Sequence, residues 1–194
     1  MRLVDKAHLL LRITSTHGIA RRYFVVNGFD GALTMLGLII GFMVSDPPPV
    51  AIIISACLGA AIALAVSGVS SAYVSESAER LRALEQLQDA MAVDLGESFH
   101  GDAARWVPMM IALVNGLAPL VISMLIMMPL WLAHAGVQLP VAPLKMAVLV
   151  ALVLIFFLGV FLGRISGVSW WRSGLQTLLV ALLTAALITF IASN

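Results

Sequence analysis

Asp30 is the only charged residue between Tyr23 and Ser45, and Gly28 and Gly31 flank it. It stands about seven residues into an apolar stretch, roughly 10 Å deep if that stretch is a helix rising 1.5 Å per residue. A carboxylate at that depth is costly unless it is protonated, paired or facing water. No basic residue occurs in the same stretch to pair with it. The neighbouring glycines let the backbone loosen and present carbonyl oxygens beside the carboxylate, a set suited to a hard cation or a proton relay. The plainer alternative is a carboxylate at the interface that only caps a helix. Met35 follows little more than one turn later and brings a thioether close by, a ligand for softer metals. The other methionines, including Met124, Met127 and Met128, read as flexible packing residues.

A second group of candidates lies between 76 and 105. Seven acids (Glu76, Glu79, Glu85, Asp89, Asp94, Glu97, Asp102) face three arginines there (Arg80, Arg82, Arg105). Leu81, Leu84, Leu87 and Met91 share one helical face, with Glu85 and Asp89 beside it as a solvated, ion-paired flank. Asp94, Glu97 and His100 recur at spacings of three, and Glu-x-x-His is a pair used in carboxylate-bridged metal sites. With Glu79 they form a candidate metal-attracting group outside the membrane, although Gly96 and Gly101 weigh against a stable helix. Asn115, in the middle of an apolar run, needs a hydrogen-bond partner and reads as glue between helices. The sequence has no His-Glu-x-x-His and no Gly-x-Ser-Gly, so hydrolytic chemistry is not expected. A net charge of +1 gives no reason to expect a nucleic-acid partner.

The elements that must hold these residues follow from composition. The chain is 61% apolar and 11% charged over 194 residues, too few charges to coat a soluble core but adequate where lipid is the outer solvent. Apolar segments of membrane-spanning length fall at about 23–45, 50–75, 106–133, 144–163 and 173–192. The expected fold is all-α: a polytopic membrane protein with five transmembrane helices in one domain, 23–194. An acidic helical connector occupies 76–105, and a basic amphipathic segment, 1–22, lies on the membrane. Asp46-Pro47-Pro48-Pro49 ends span one, and Pro108, Pro119 and Pro129 are expected to break up span three. Ten of the eleven basic residues fall on one side of this arrangement and only Lys145 on the other. The positive-inside bias puts the N-terminus and the connectors in the cytoplasm and the C-terminus outside, with the cell membrane the favoured location. Gly37-x-x-x-Gly41, Gly159-x-x-x-Gly163 and the run Ser55, Gly59, Ala63, Ser67, Ser71, Ser75 offer close helix contacts. Cys57, the single cysteine, reads as a small packing residue.

In this order the features resemble the vacuolar iron transporter family of metal–proton antiporters. Asp30-Gly31 resembles that family's Asn-Asp-Gly signature, with Phe29 in the asparagine's place. Tyr73-Val74-Ser75 resembles its Gly-Glu-Tyr-Val-Ser segment. Gly163-Arg164-Ile165-Ser166-Gly167 and Trp171-Arg172-Ser173-Gly174 resemble its connector into span five. Ala72 stands where the family has a span-two glutamate and Gly68 where it has a methionine, and Glu76 lies one turn from Ala72. The resemblance implies a homodimer that exchanges a divalent metal, Fe²⁺ or Mn²⁺, for protons. Asp30, Met35 and Glu76 would then be the intramembrane site, and no permanently bound cofactor is implied. The same scaffold with another cargo, or a non-transporting metal sensor or assembly component, are the rival expectations.

Overall fold

The computed structural model describes residues 16–45 and 47–192, and among them every regular element is an α-helix. The helices are α1 (Thr16–Val44), α2 (Val50–Met91), α3 (Phe99–His134), α4 (Pro143–Ser166) and α5 (Trp170–Ala192). All five are long and apolar enough to cross a membrane. The chain is therefore an all-helical, multi-pass membrane protein. Its outer surface is consistent with lipid: Leu149, Phe157 and Leu187 are each at least 60% exposed, an arrangement water would penalise and acyl chains do not.

Short connectors make successive helices antiparallel. The starts of α1, α3 and α5 and the ends of α2 and α4 gather at one end, together with Arg22, Arg80, Arg105, Arg164 and Arg172. We call this the basic end; Lys145 starts α4 at the opposite one. Helix α1 begins ahead of the expected span, so residues 16–22 continue straight into it. The remainder of the 1–22 segment, and Asp46, lie outside the described residues.

Helix α2 is 42 residues long, about 63 Å at 1.5 Å per residue, or twice a ~30 Å hydrocarbon core. Its second half therefore leaves the membrane as the first part of the acidic connector. It stops at Ala92, which takes a left-handed conformation (φ 51°) with its N–H donating to the Gln88 carbonyl. Ser98 then caps α3, its hydroxyl accepting from the amides of His100 and Gly101.

Helix α3 is the centre of the bundle. Half of its most apolar stretch is buried, against 6% for α5, and it packs on α1, α2 and α4. Pro108, Pro119 and Pro129 do not break it: all three are buried within one continuous helix. Neighbouring helices hold the backbone where prolines have removed a hydrogen bond. Cys57 is buried in the apolar core with Met35, Ile39 and Ile126.

The small residues divide into two groups. Between α4 and α5, a Cβ at Gly159 would meet the Thr177 side chain and one at Gly163 would meet Ser173 and the Trp170 backbone. That pair does make a close helix contact. Gly37 faces Ile188 of α5, whereas Gly41 has nothing within 4 Å. In the run Ser55, Gly59, Ala63, Ser67, Ser71, Ser75, a Cβ at Gly59 would meet nothing within 4 Å, and only Ser75 lines a groove shared with α1. Every member is exposed.

Candidate functional site

Helices α1 and α2 both lie against α3 but touch each other little. The result is a cleft between α1 and α2 with α3 as its floor. At the basic end the Tyr23 hydroxyl closes the cleft by donating to Glu76 Oε1 at 3.4 Å. Glu76 is buried, 6% exposed, with Arg80 Nε 3.9 Å from its other carboxylate oxygen. Outside this closure lies a groove of about 490 Å³ whose lining includes Tyr23, Ser75, Glu76, Glu79, Arg80 and Arg82. Glu79 is exposed on its rim.

One turn deeper, a polar link crosses all three helices. The Asn27 amide donates to the Tyr23 carbonyl at 2.9 Å and to Asn115 Oδ1. The Asn115 amide in turn donates to the Gly68 carbonyl at 2.7 Å. Pro119 has no N–H to offer the Asn115 carbonyl four residues before it. That carbonyl lies against Gly68, where an added Cβ would be 3.2 Å away. Position 68 is thus pressed against the backbone of α3, and a side chain there would need α3 to give by a few tenths of an ångström. Ala72 is also buried on the same face of α2.

Asp30 comes next along α1, seven residues or ~10 Å beyond Tyr23. Gly31 beside it meets α3 backbone to backbone, since a Cβ there would stand 2.7 Å from the Cα of Pro119. This contact fixes Asp30 at the edge of the α1–α3 seam. Its side chain is exposed on the outer surface of the chain, and among the described residues no basic group pairs with it. Thr34, one turn on, uses its hydroxyl on the Asp30 backbone carbonyl at 2.8 Å. On α2, the exposed Ser71 and Ser67 lie five and nine residues from Glu76. That is about 7–13 Å, the same depth as Asp30.

The remaining candidates do not join this group. Met35 is fully buried in the core, and five residues of helix place it about 140° around the axis from Asp30. Asp94 accepts from Gln88 Nε2 at 2.9 Å and from the Gly96 amide at 2.8 Å, closing the turn after α2. Asp94 and Glu97 precede the Ser98 cap while His100 follows it, so the three do not share a helical face. Glu97 and His100 are exposed. Among the described residues no three His, Cys, Asp or Glu side chains are grouped closely enough to hold a metal ion.

Sequence reasoning missed Asn27 and Tyr23 as partners. The available signal was a polar residue three and seven positions before Asp30, which helical periodicity puts on the same side of α1. It also missed Ser123, a fully buried hydroxyl on α3 without a hydrogen-bond partner, one turn beyond Pro119. A line of oxygen and amide groups thus runs from Glu76 in the groove at the basic end, past Tyr23, Asn27 and Asn115, with Asp30 one turn further along α1 on the exposed surface. These are the groups hard cations and protons exchange with.

No family model matches the sequence, and no solved structure does. Among curated proteins, the chain is 30% identical over 169 residues to Uncharacterized protein MJ0645 of Methanocaldococcus jannaschii, a match covering 86% of this chain and 85% of that protein. It runs through nearly all of both chains, spans and connectors together. The chain therefore belongs to the same family as this archaeal protein.

Proposed function

We propose that this protein is a proton-coupled transporter of divalent cations, with Asp30 as the carboxylate that alternates between cation and proton. The observation that carries the reading is the position of Asp30: within an apolar helix long enough to cross a membrane, exposed on the outside of the chain, and without a basic partner among the described residues. A carboxylate turned toward acyl chains is too costly to keep unless something covers it or supplies a counter-ion. A second copy of the chain would cover it, and the exposed Ser55-to-Ser75 stripe of α2 is a surface on which two backbones can approach closely. In such a homodimer two Asp30 carboxylates and the serines at the same depth would line one pathway. Glu76, Glu79 and the groove outside them would draw cations to its mouth.

The positive-inside bias supports a cytoplasmic basic end with the C-terminus outside, most simply in the cell membrane. The resemblance to vacuolar iron transporters supports export and suggests Fe²⁺ or Mn²⁺ as cargo. A second reading, the same scaffold with a harder cargo, is favoured by Gly68. Glycine supplies no thioether there and sits in a tight α2–α3 contact, and Met35 is turned into the core. Equilibrium binding of Mn²⁺, Fe²⁺ and Zn²⁺ to the purified protein tests the proposal. Binding of at least one metal that is lost in Asp30→Asn is expected. A protein that binds none of them would instead be the non-transporting membrane component.

A further inference from the structure

A second groove lies on a different side of the molecule at the basic end, bordered by residues of α1, α3, α4 and α5. It has a volume of about 530 Å³, and its wall includes Phe24, Ile122, Leu154, Leu158 and Phe161, with Arg164 and Trp170 also in the lining. Phe24 and Asp30 are six residues apart on α1, about 120° around its axis, so this groove and the cation cleft open in different directions. The groove faces lipid, because the helices that form it span the membrane.

Its dimensions and charge define what fills it. Leu154 and Arg164 are ten residues apart on α4, about 15 Å, which is the depth of one leaflet of a ~30 Å hydrocarbon core. The groove therefore runs from the bilayer middle to the interface, apolar throughout its length, and ends on a cation. Arg164 has no acidic partner among the described residues, and Trp170 beside it is at the level where indoles sit among headgroups. Arg172 lies at the same end on α5, so no acid of that connector competes for the site. A cation with no acidic partner among the described residues, placed over an acyl-sized slot, is complementary to an anionic phospholipid.

We propose that this groove is a binding site for an anionic phospholipid of the basic-end leaflet, one acyl chain lying along α4 and the phosphate on the Arg164 guanidinium. The site is independent of the transport reading. Native mass spectrometry of the detergent-solubilised protein with added phosphatidylglycerol or phosphatidylcholine tests it. The intact protein should retain phosphatidylglycerol about fivefold better than phosphatidylcholine, the contribution of one cation near a membrane surface. Arg164→Gln should remove that preference, while Arg164→Lys, with its charge kept, should preserve it. Arg172→Gln, outside the groove, should also leave it intact. Filling the slot with Leu154→Trp should reduce retention of both lipids. Equal retention of the two lipids by the parent protein would overturn the proposal. So would a preference that survives Arg164→Gln or falls equally in Arg172→Gln, since the charge would then act diffusely. Displacement of the lipid by millimolar inorganic phosphate would show that the acyl chain has no seat there.

Discussion

Asn115 makes two hydrogen bonds in the interior of a membrane protein, and each ties it to a different helix. Lipid offers no replacement partner, so truncation removes both ties from α3 to its neighbours, although the Asn27 amide keeps its bond to the Tyr23 carbonyl and the Gly68 carbonyl keeps that from the Ser71 hydroxyl. Asn115→Ala should therefore lower stability by about 1–2 kcal/mol, read as the midpoint of unfolding in mixed micelles. Asn27→Ala should cost less, because Asn115 keeps its bond to Gly68. An Asn115→Ala protein as stable as its parent would show that the link contributes nothing. Two glycines on α1 make a sharper pair. Gly31→Leu would drive a side chain into the α3 backbone at Pro119, whereas Gly41→Leu has open space before it. Only the first should destabilise the bundle, and equal effects would mean α1 does not sit on α3 as described. At this scale Asn115 was legible, because an amide in an apolar run must find a partner. The partner itself was not, since only the docking of α1 on α3 brings Asn27 to it. Met35 misled for the same reason: closeness to Asp30 in sequence hid a large turn around the helix axis.

Helices were more legible than their neighbours. Five apolar runs bounded by charge or proline mark five helices, and the leucine stripe after span two anticipates its continuation to Met91. Pro108, Pro119 and Pro129 argued for a broken span on local grounds, yet α3 is continuous because α1, α2 and α4 enclose it. The acidic turn after α2 could not be placed from spacing alone, since the Ser98 cap decides where helix begins again and so separates His100 from Asp94 and Glu97. The end of α2 yields a prediction of its own. Ala92 holds φ 51°, a conformation that costs an L-residue with a Cβ about 1 kcal/mol and glycine almost nothing. Ala92→Gly should raise thermal stability slightly, by up to that amount. A clear loss of stability would show that α2 does not end in a left-handed cap.

The bundle as a whole leaves two outward features that lipid alone does not explain, the exposed Asp30 carboxylate and the exposed small-residue run of α2. The proposed homodimer would account for both. Ser67→Cys should form a disulfide-linked dimer under mild oxidation in membranes, and Leu149→Cys, on the lipid-facing side of α4, should not. Cross-linking at Leu149 alone would place the interface elsewhere. Reporter tags at the N-terminus and after Met91 should be cytoplasmic and a C-terminal tag outside, as five crossings and the positive-inside bias require. The proposed alternation of cation and proton on Asp30 is tested by Mn²⁺ flux into proteoliposomes under an imposed pH gradient. The parent protein should show flux that follows the gradient and stops when the gradient is dissipated. Asp30→Asn, which keeps shape and hydrogen bonding but loses the charge and the proton, should insert normally and show essentially none. Undiminished, gradient-driven flux in Asp30→Asn would contradict the account.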